Sequence, residues 1–452
     1  MKKLSAVLLF FFCFTAMLFA QDIFTLAESG TPEQIQAAIN AGAKIDDRDN
    51  DGETPLMYAA WFNENPEVIK LLLDAGARIN DRDGLGETPL MHAAIGNENP
   101  EVIKLLLDAG ARIDDKDNYL ETPLMYAAEF NENPDVITIL INAGAKIDDR
   151  DNHGSTALMY AARFNENPDV ITTLLRAGAE INDRNALGET PLIRAVIGNQ
   201  NPEVIKVLLN AGAMLDYRDR IGITPLIWAV ICNENPEVIK VLLDAGAIID
   251  DRDVIGRTPL MHAAMYNKNP DVIQLLLDAG AMIDDTDDVF GETPLMYAAA
   301  GNENPEVITT LLNAGADPTI KSKEGKTALD YAQANKKLRG TSAFEMLKNA
   351  TYGFSTDWVN TSFGSYRVER LWQEGSLTYA LVSYRNTTSR TFNDSITITA
   401  LFYDANNRML DMEDQTLYAL KNDPMSPGFE STVKISSTCT KAKRVEVRIS
   451  GY

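Results

Sequence analysis

The chain has 452 residues, room for two or three domains with sizeable cores. A formal net charge of -24 argues against nucleic acid and anionic membrane surfaces as partners, because no basic stripe offsets phosphate repulsion. The acidity is uneven. From Thr351 to Tyr452 Lys+Arg and Asp+Glu stand at 11 each, so the excess lies before Thr351.

The N-terminus has the form of an export signal over residues 1–20. Met1-Lys2-Lys3 is basic, Leu4 to Phe19 is apolar, and Ala20 precedes a possible cut before Gln21. Leu18 stands where a small residue is usual, which leaves cleavage open. The apolar run is short for a membrane span, and Cys13 follows three phenylalanines, not the small residues of a lipoprotein site. The expected location is extracytoplasmic, periplasmic or secreted, with no membrane insertion once the signal is gone.

Self-similarity dominates residues 21–350. "TPLMYAA" at Thr54 returns at Thr88, Thr122, Thr156, Thr190, Thr224, Thr258, Thr293 and Thr327 in close variants. The period is 34 residues, except for 35 between Thr258 and Thr293. With a weaker copy from Gly30, that makes roughly ten units. In each, Thr54 and its equivalents suit a helix N-cap, with Pro55 at the first helical position. Leu56, Ala59 and Ala60 make a small apolar face. Asn63 is expected to end this helix in a left-handed turn. Asn65 caps a second helix, with Pro66 behind it. Val68, Ile69, Leu71, Leu72 and Leu73 form its buried face, and Gly76 closes it. "ARINDRDGLGE" then runs out as an extended finger turning at Gly84 to Gly86. One unit cannot bury its own apolar face, so the units must stack as a solenoid.

These motifs, "TPLMYAA" and "EVIKLLLDAGA", resemble the ankyrin repeat. The resemblance implies an α solenoid of helix-turn-helix repeats with β-hairpin fingers. Two departures stand out. The turn between helices is one residue longer than the family's Gly-His turn and spells Asn-Glu-Asn-Pro. The His of the family's Thr-Pro-Leu-His is Met or Ile here, which puts its hydrogen bonds in question.

The first finger, "DRDNDG", also spells the start of a calcium loop. Other fingers put Leu85, Tyr119, His153, Leu187, Ile221 and Ile255 at the third carboxylate position, and Tyr58 falls where a closing Glu belongs. The expectation is no metal and no cofactor, with Asp-x-Arg-Asp shaping the finger through side chain to backbone bonds and Arg–Asp pairing.

A solenoid resembling ankyrin repeats is expected to bind a protein along a concave face built from fingertips and first helices. The variable positions there are candidates. Fingertips carry Leu85, Tyr119, His153, Leu187, Ile221, Ile255 and Phe290; first helices carry Tyr58, Trp61, Phe62, Tyr126, Phe130, Tyr160, Phe164, Trp228 and Tyr266. Apolar turn residues and exposed aromatics suit an interface. Tyr58 and its equivalents serve equally well as core between units. The surrounding acidity favours a partner with exposed basic and apolar groups; oligomeric state is open. The only histidines, His92, His153 and His262, sit at variable repeat positions, and no nucleophile elbow or phosphate loop appears. The expectation is a binding protein, not an enzyme.

After a polar terminal helix and a linker over 351–363, residues 364–452 change to a period of two. "SLTYALVSY", "SITITALFYD", "TVKIS" and "RVEVRIS" alternate, with turns between them. Short strands at this spacing argue for an all-β, Ig-like sandwich. "VSYRNTTSRTFNDSITITALFYDANNRML" and "SPGFESTVKI" resemble the FxLYD-type domain of exported bacterial proteins, with Tyr403-Asp404 and Pro427-Gly428 matching and Ala400 in place of its leading Phe. That implies bacterial export, and turns rather than glycosylation sites at Asn349, Asn360, Asn386 and Asn393. Two rival readings remain. One is a secreted or surface effector engaging a host protein; the other is ligand or glycan binding, or an enzymatic site, on the sandwich. Cys232 and Cys439 read as small buried residues.

If the first finger is a turn and not a calcium site, the melting temperature is the same in Ca²⁺ and in chelator. A rise with Ca²⁺, measured by scanning calorimetry, would overturn that reading.

Overall fold

The computed structural model describes residues 22–352 and seven strand segments between 359 and 451. The signal stretch 1–20, Cys13, Cys439, the sequon at Asn386 and the Pro427-Gly428 pair lie outside the described residues. The chain divides into two compact units, Met1–Val254 and Ile255–Tyr452.

In the first unit, helix pairs follow one another at the repeat period. The first pair is Ile23–Ser29 and Pro32–Asn40, the second Pro55–Phe62 and Pro66–Asp74, and the last Pro225–Cys232 and Pro236–Asp244. Thr54 caps its helix as expected: its Oγ accepts the Met57 N–H at 3.4 Å. In return the Thr54 N–H points at Met57 Sδ, 3.2 Å away. The pairing recurs at Thr88 with Met91 and at Thr258 with Met261. The thioether, a weak acceptor, stands where the family's His would be.

First helices are buried nearly all round. Leu56, Met57, Ala59 and Ala60 have no exposed surface, because alanines let the neighbouring first helices close in. Second helices bury one stripe, Val68, Ile69 and Leu72. Leu71 and Leu73, expected in that stripe, are only half-buried. Each fully buried Leu or Ile contributes about 2 kcal/mol.

The turn between helices departs from expectation. Asn63 has φ -92° and ψ 109°, extended and not left-handed, and it is buried. Its amide is wanted elsewhere. Nδ2 donates to the carbonyls of Ala27 and Gly30 in the preceding repeat, both at 3.1 Å, while Oδ1 accepts the Asn65 N–H. Asn97 then donates to Ala60 and to the carbonyl of Asn63. Asn131, Asn165 and Asn199 continue the chain, each binding the carbonyl of the previous asparagine. The second asparagine works in parallel. Asn99 caps its helix through the Glu101 N–H and donates to the Glu64 carbonyl at 2.7 Å.

The fingers are tight turns and carry no strand; the expected β-hairpins are not formed. Asp83 Oδ1 accepts the N–H groups of Leu85 and Glu87, and a single backbone bond, Asp83 N–H to Glu87 O, closes the base. That leaves too few cross-strand bonds for a ladder. Neighbouring fingers share one backbone bond, such as Asn118 N–H to Leu85 O at 3.0 Å. The expected Arg–Asp pairing is present and runs between fingers. Arg48 binds the Gly52 carbonyl of its own finger, then the Arg82 carbonyl and Asp81 of the next.

The second unit holds Pro259–Tyr266 and Pro270–Asp278, Pro294–Gly301 and Pro305–Asn313, and Ala328–Ala334 with the terminal Ser342–Tyr352. The same asparagine chain runs from Asn302 to Asn335. The extra residue lengthens one finger, where the Asp287 carboxylate holds the N–H groups of Val289, Phe290 and Glu292. The strands are β1 Val359–Thr361, β2 Gly364–Glu374, β3 Leu377–Arg385, β4 Ser395–Tyr403, β5 Met409–Tyr418, β6 Glu430–Ser437 and β7 Arg444–Gly451. They form two antiparallel sheets, ordered β1-β2-β3-β6 and β5-β4-β7. β1 lies in the stretch expected to be linker. No described helix is long and apolar enough to cross a membrane.

Replacing Asn131 by Ala strands two buried carbonyls and a partly buried N–H, and should cost about 3 kcal/mol. Asn133→Ala, at a half-exposed site, should cost about 1 kcal/mol. Urea midpoints of the two variants against the parent check both values.

Candidate partner-binding face

Four residues after each capping Thr stands a side chain that points at its own finger. Tyr58 donates its hydroxyl to Asp49 Oδ2 at 2.9 Å. Trp228 Nε1 donates to Asp219 Oδ2 at 2.8 Å. Tyr126 donates to Asp117 Oδ2 at 3.1 Å and to Glu87 of the preceding finger at 2.7 Å. Tyr160 does the same with Asp151 and Glu121. The rings of Tyr126 and Tyr160 are buried. Burial, then the adjacent Glu87 or Glu121, pushes both hydroxyls far above the usual tyrosine range. These two tyrosines therefore offer almost no surface to a partner, and Tyr58 and Trp228 share their attachment. The clue was in the sequence: Tyr58, His92, Tyr126, Tyr160, Arg194 and Trp228 can all donate a hydrogen bond.

His92 occupies the same column, with Nε2 3.0 Å from Asp83 Oδ2 and 3.5 Å from Glu87 Oε2. Glu53, Asp83 and His92 bring ligand-type atoms within 4.8 Å of one another. A ligating imidazole normally anchors its second nitrogen, yet His92 Nδ1 is buried without a partner. The cluster fits the hydrogen-bonded column better than a metal centre.

The last turn of the first helix is different. Phe62, Phe130 and Phe164 are exposed, Phe130 by 52%. Trp61 is half-buried: it stacks on Phe62 at 4.8 Å and lies 5.3 Å from the His92 ring. Its indole also covers Gly96 of the next repeat, where a Cβ would collide with the ring. Arg163 covers Gly198 likewise; a Cβ there would sit 2.5 Å from Arg163 Cγ. The ridge is broken at those glycines because the preceding repeat fills their space. In the second unit Met265 lies over Gly301, and exposed Tyr266 stacks near His262 at 6.3 Å.

Among fingertips of the first unit, Leu85, Tyr119, His153, Leu187 and Ile221 are exposed. In the second unit Phe290 is exposed and Ile255 is half-buried. Two exposed residues escaped the sequence reading. Val254 is exposed by 77%. Leu120 occupies the turn position held by Gly86 and Gly154, at φ 67°, and it too is exposed. A leucine in that region costs about 1–2 kcal/mol. The signal for it was the missing glycine in "DKDNYLE".

Beside Phe130, Glu129 is half-buried. Burial and then Glu121 push its carboxyl up to about 7, against the pull of Arg194 and Arg163.

The family described as Ankyrin repeats (3 copies) matches in overlapping windows from 23–117 to 260–350. Among solved structures, the human ASB11 ankyrin repeat domain is 27% identical with a TM-score of 0.45, over 51% of this chain and 98% of that one. No curated protein matches this chain.

Glu129 makes stability fall as pH rises. Its folded pKa lies above the unfolded one, so the folded state binds more protons between them, and the advantage is lost as pH climbs from about 4.5 to about 7. Glu129→Gln should flatten the melting temperature over that window. An unchanged pH profile would show that Glu129 is not the group responsible.

Proposed function

The chain belongs to the ankyrin-repeat family, and from that premise we infer that it is a protein–protein interaction scaffold whose partner lies across fingertips and first-helix ends. The observation that carries this placement is Leu120. A glycine would relieve the strained turn, yet the chain keeps an exposed leucine there, next to exposed Tyr119. Phe62, Phe130 and Phe164 extend the same apolar character to the helix ends. After this ridge the turns carry exposed Glu64, Glu98, Glu132 and Glu166. Such a rim favours basic groups around the apolar contact of the partner. Tyr126 and Tyr160 are assigned to the scaffold, not to the contact.

The signal-like first twenty residues and the FxLYD resemblance support an extracytoplasmic, bacterial setting. We further infer that residues 364–452 are a β-sandwich docking module, a reading supported by the two antiparallel sheets and their crossovers between β3 and β6 and between β4 and β7.

The test is affinity capture from envelope extract, with the parent beside a Phe62→Ala, Phe130→Ala, Phe164→Ala variant and beside Leu120→Gly. The triple variant should lose a partner that the parent holds. Leu120→Gly should gain about 1 kcal/mol of stability and still hold the partner less well. Equal capture by all three, with circular dichroism showing folded protein, would move the contact off this face.

A further inference from the structure

The arginines of the Asp-x-Arg-Asp fingers have their guanidinium groups occupied. Arg48 meets two carbonyls and a carboxylate, and Arg150 and Arg218 repeat the pattern. Arg163 and Arg194 do not conform. Arg163 stands one residue before Phe164, with its guanidinium carbon 4.8 Å from the centre of that ring. It makes no hydrogen bond or ion pair among the described residues. Its stem crosses Gly198, one turn beyond Arg194 on the next first helix. Arg194 is 13% exposed in its side chain and reaches a carboxylate only at 3.5 Å, that of Glu189. The Nε groups of both arginines are buried without a partner. Two like charges thus share a half-buried site with donors to spare. After burial, Arg163 is the strongest influence holding the Arg194 guanidinium below its usual range. Glu129, the other acid near them, forms no ion pair with either.

We propose that Arg163 and Arg194 form a carboxylate-binding site within the Phe130–Phe164 ridge, taking an Asp or Glu side chain of the protein partner. This rests on the partner face argued above and deepens it. A carboxylate between two guanidinium groups satisfies planar donors and relieves their mutual repulsion. A doubly charged phosphate fits less well, because Glu129 stands beside the site. The partner would therefore present an acidic residue flanked by apolar ones inside an otherwise basic surface. That inversion of sign would set register along the repeats.

The probe is N-acetyl-Asp-Phe-amide, titrated into the full chain labelled with ¹⁵N at arginine, with its Asn isostere and inorganic phosphate as controls. Saturable shifts of the Arg163 and Arg194 Nε–H signals with the acidic probe, at least about tenfold weaker with the isostere, support the site. Arg163→Gln should abolish the response. Arg163→Lys, which keeps the charge without the fork, should reduce it. Silence of both arginines, or equal response to the Asn isostere, overturns the proposal. So does a response to phosphate alone. If the arginines are silent while Phe130→Ala and Phe164→Ala still release the captured partner, this site fails and the face stands. If capture ignores those phenylalanines, the face itself fails, whatever the arginines do.

Discussion

Two asparagines per turn hold each repeat to the one before it. The first is buried and bridges two carbonyls of the preceding repeat while its oxygen shapes its own turn. The second caps a helix and reaches back once more. Each bond contributes only about 1 kcal/mol net, less than a buried leucine. What the asparagines add is direction. Apolar faces of alanine and leucine slide easily over one another, whereas a carboxamide with two acceptors has one place to be. The longer turn, a departure from the family's Gly-His, supplies the room for both.

A second polar column, from first helix to finger, changes the meaning of the net charge. Asp49, Asp117, Asp151 and Asp219 each hold backbone N–H groups with one oxygen and a Tyr or Trp donor with the other. Part of the acidity is thus internal architecture, satisfied by neutral donors, and does not face a partner. The exposed remainder includes the glutamates of the turn and the acids that open the second helices, such as Glu67 and Glu101. A surface field therefore comes from fewer charges than the formal total suggests, and it runs beside the aromatic ridge.

The period, the capping Thr, the Pro behind it and the centre of the apolar stripe were legible, because each depends on residues within one repeat; the finger pairing was legible from its recurring Asp-x-Arg-Asp. Helix existence followed from the caps; the hairpin did not, because one Asp carboxylate replaces the ladder. Asn63 was misjudged for a different reason. Its backbone geometry answers to carbonyls in the preceding repeat, at Ala27 and Gly30, which no local propensity contains. The tyrosine column stayed open between core and contact because a repeat shows what recurs and not which way it faces. The common property, a donor at every position, was visible but is chemical, not periodic. Trp61 over Gly96 and Arg163 over Gly198 lie across a repeat boundary, so the glycines looked like gaps in a ridge when they are seats for a neighbour.

Those seats have a consequence for how such an array can change. Trp61 and Arg163 each need a glycine in the next first helix, so the inherited module straddles the boundary between repeats. Duplicating or deleting a whole repeat would set the Trp61 indole against Phe130, or leave Gly198 uncovered. Trp61 and Gly96 lie on consecutive first helices with a second helix between them, so only exchange of two adjacent repeats together carries a bulky residue with its glycine. The array thus has a grammar of adjacent pairs, and its history of gain and loss is constrained to move in phrases that keep them intact.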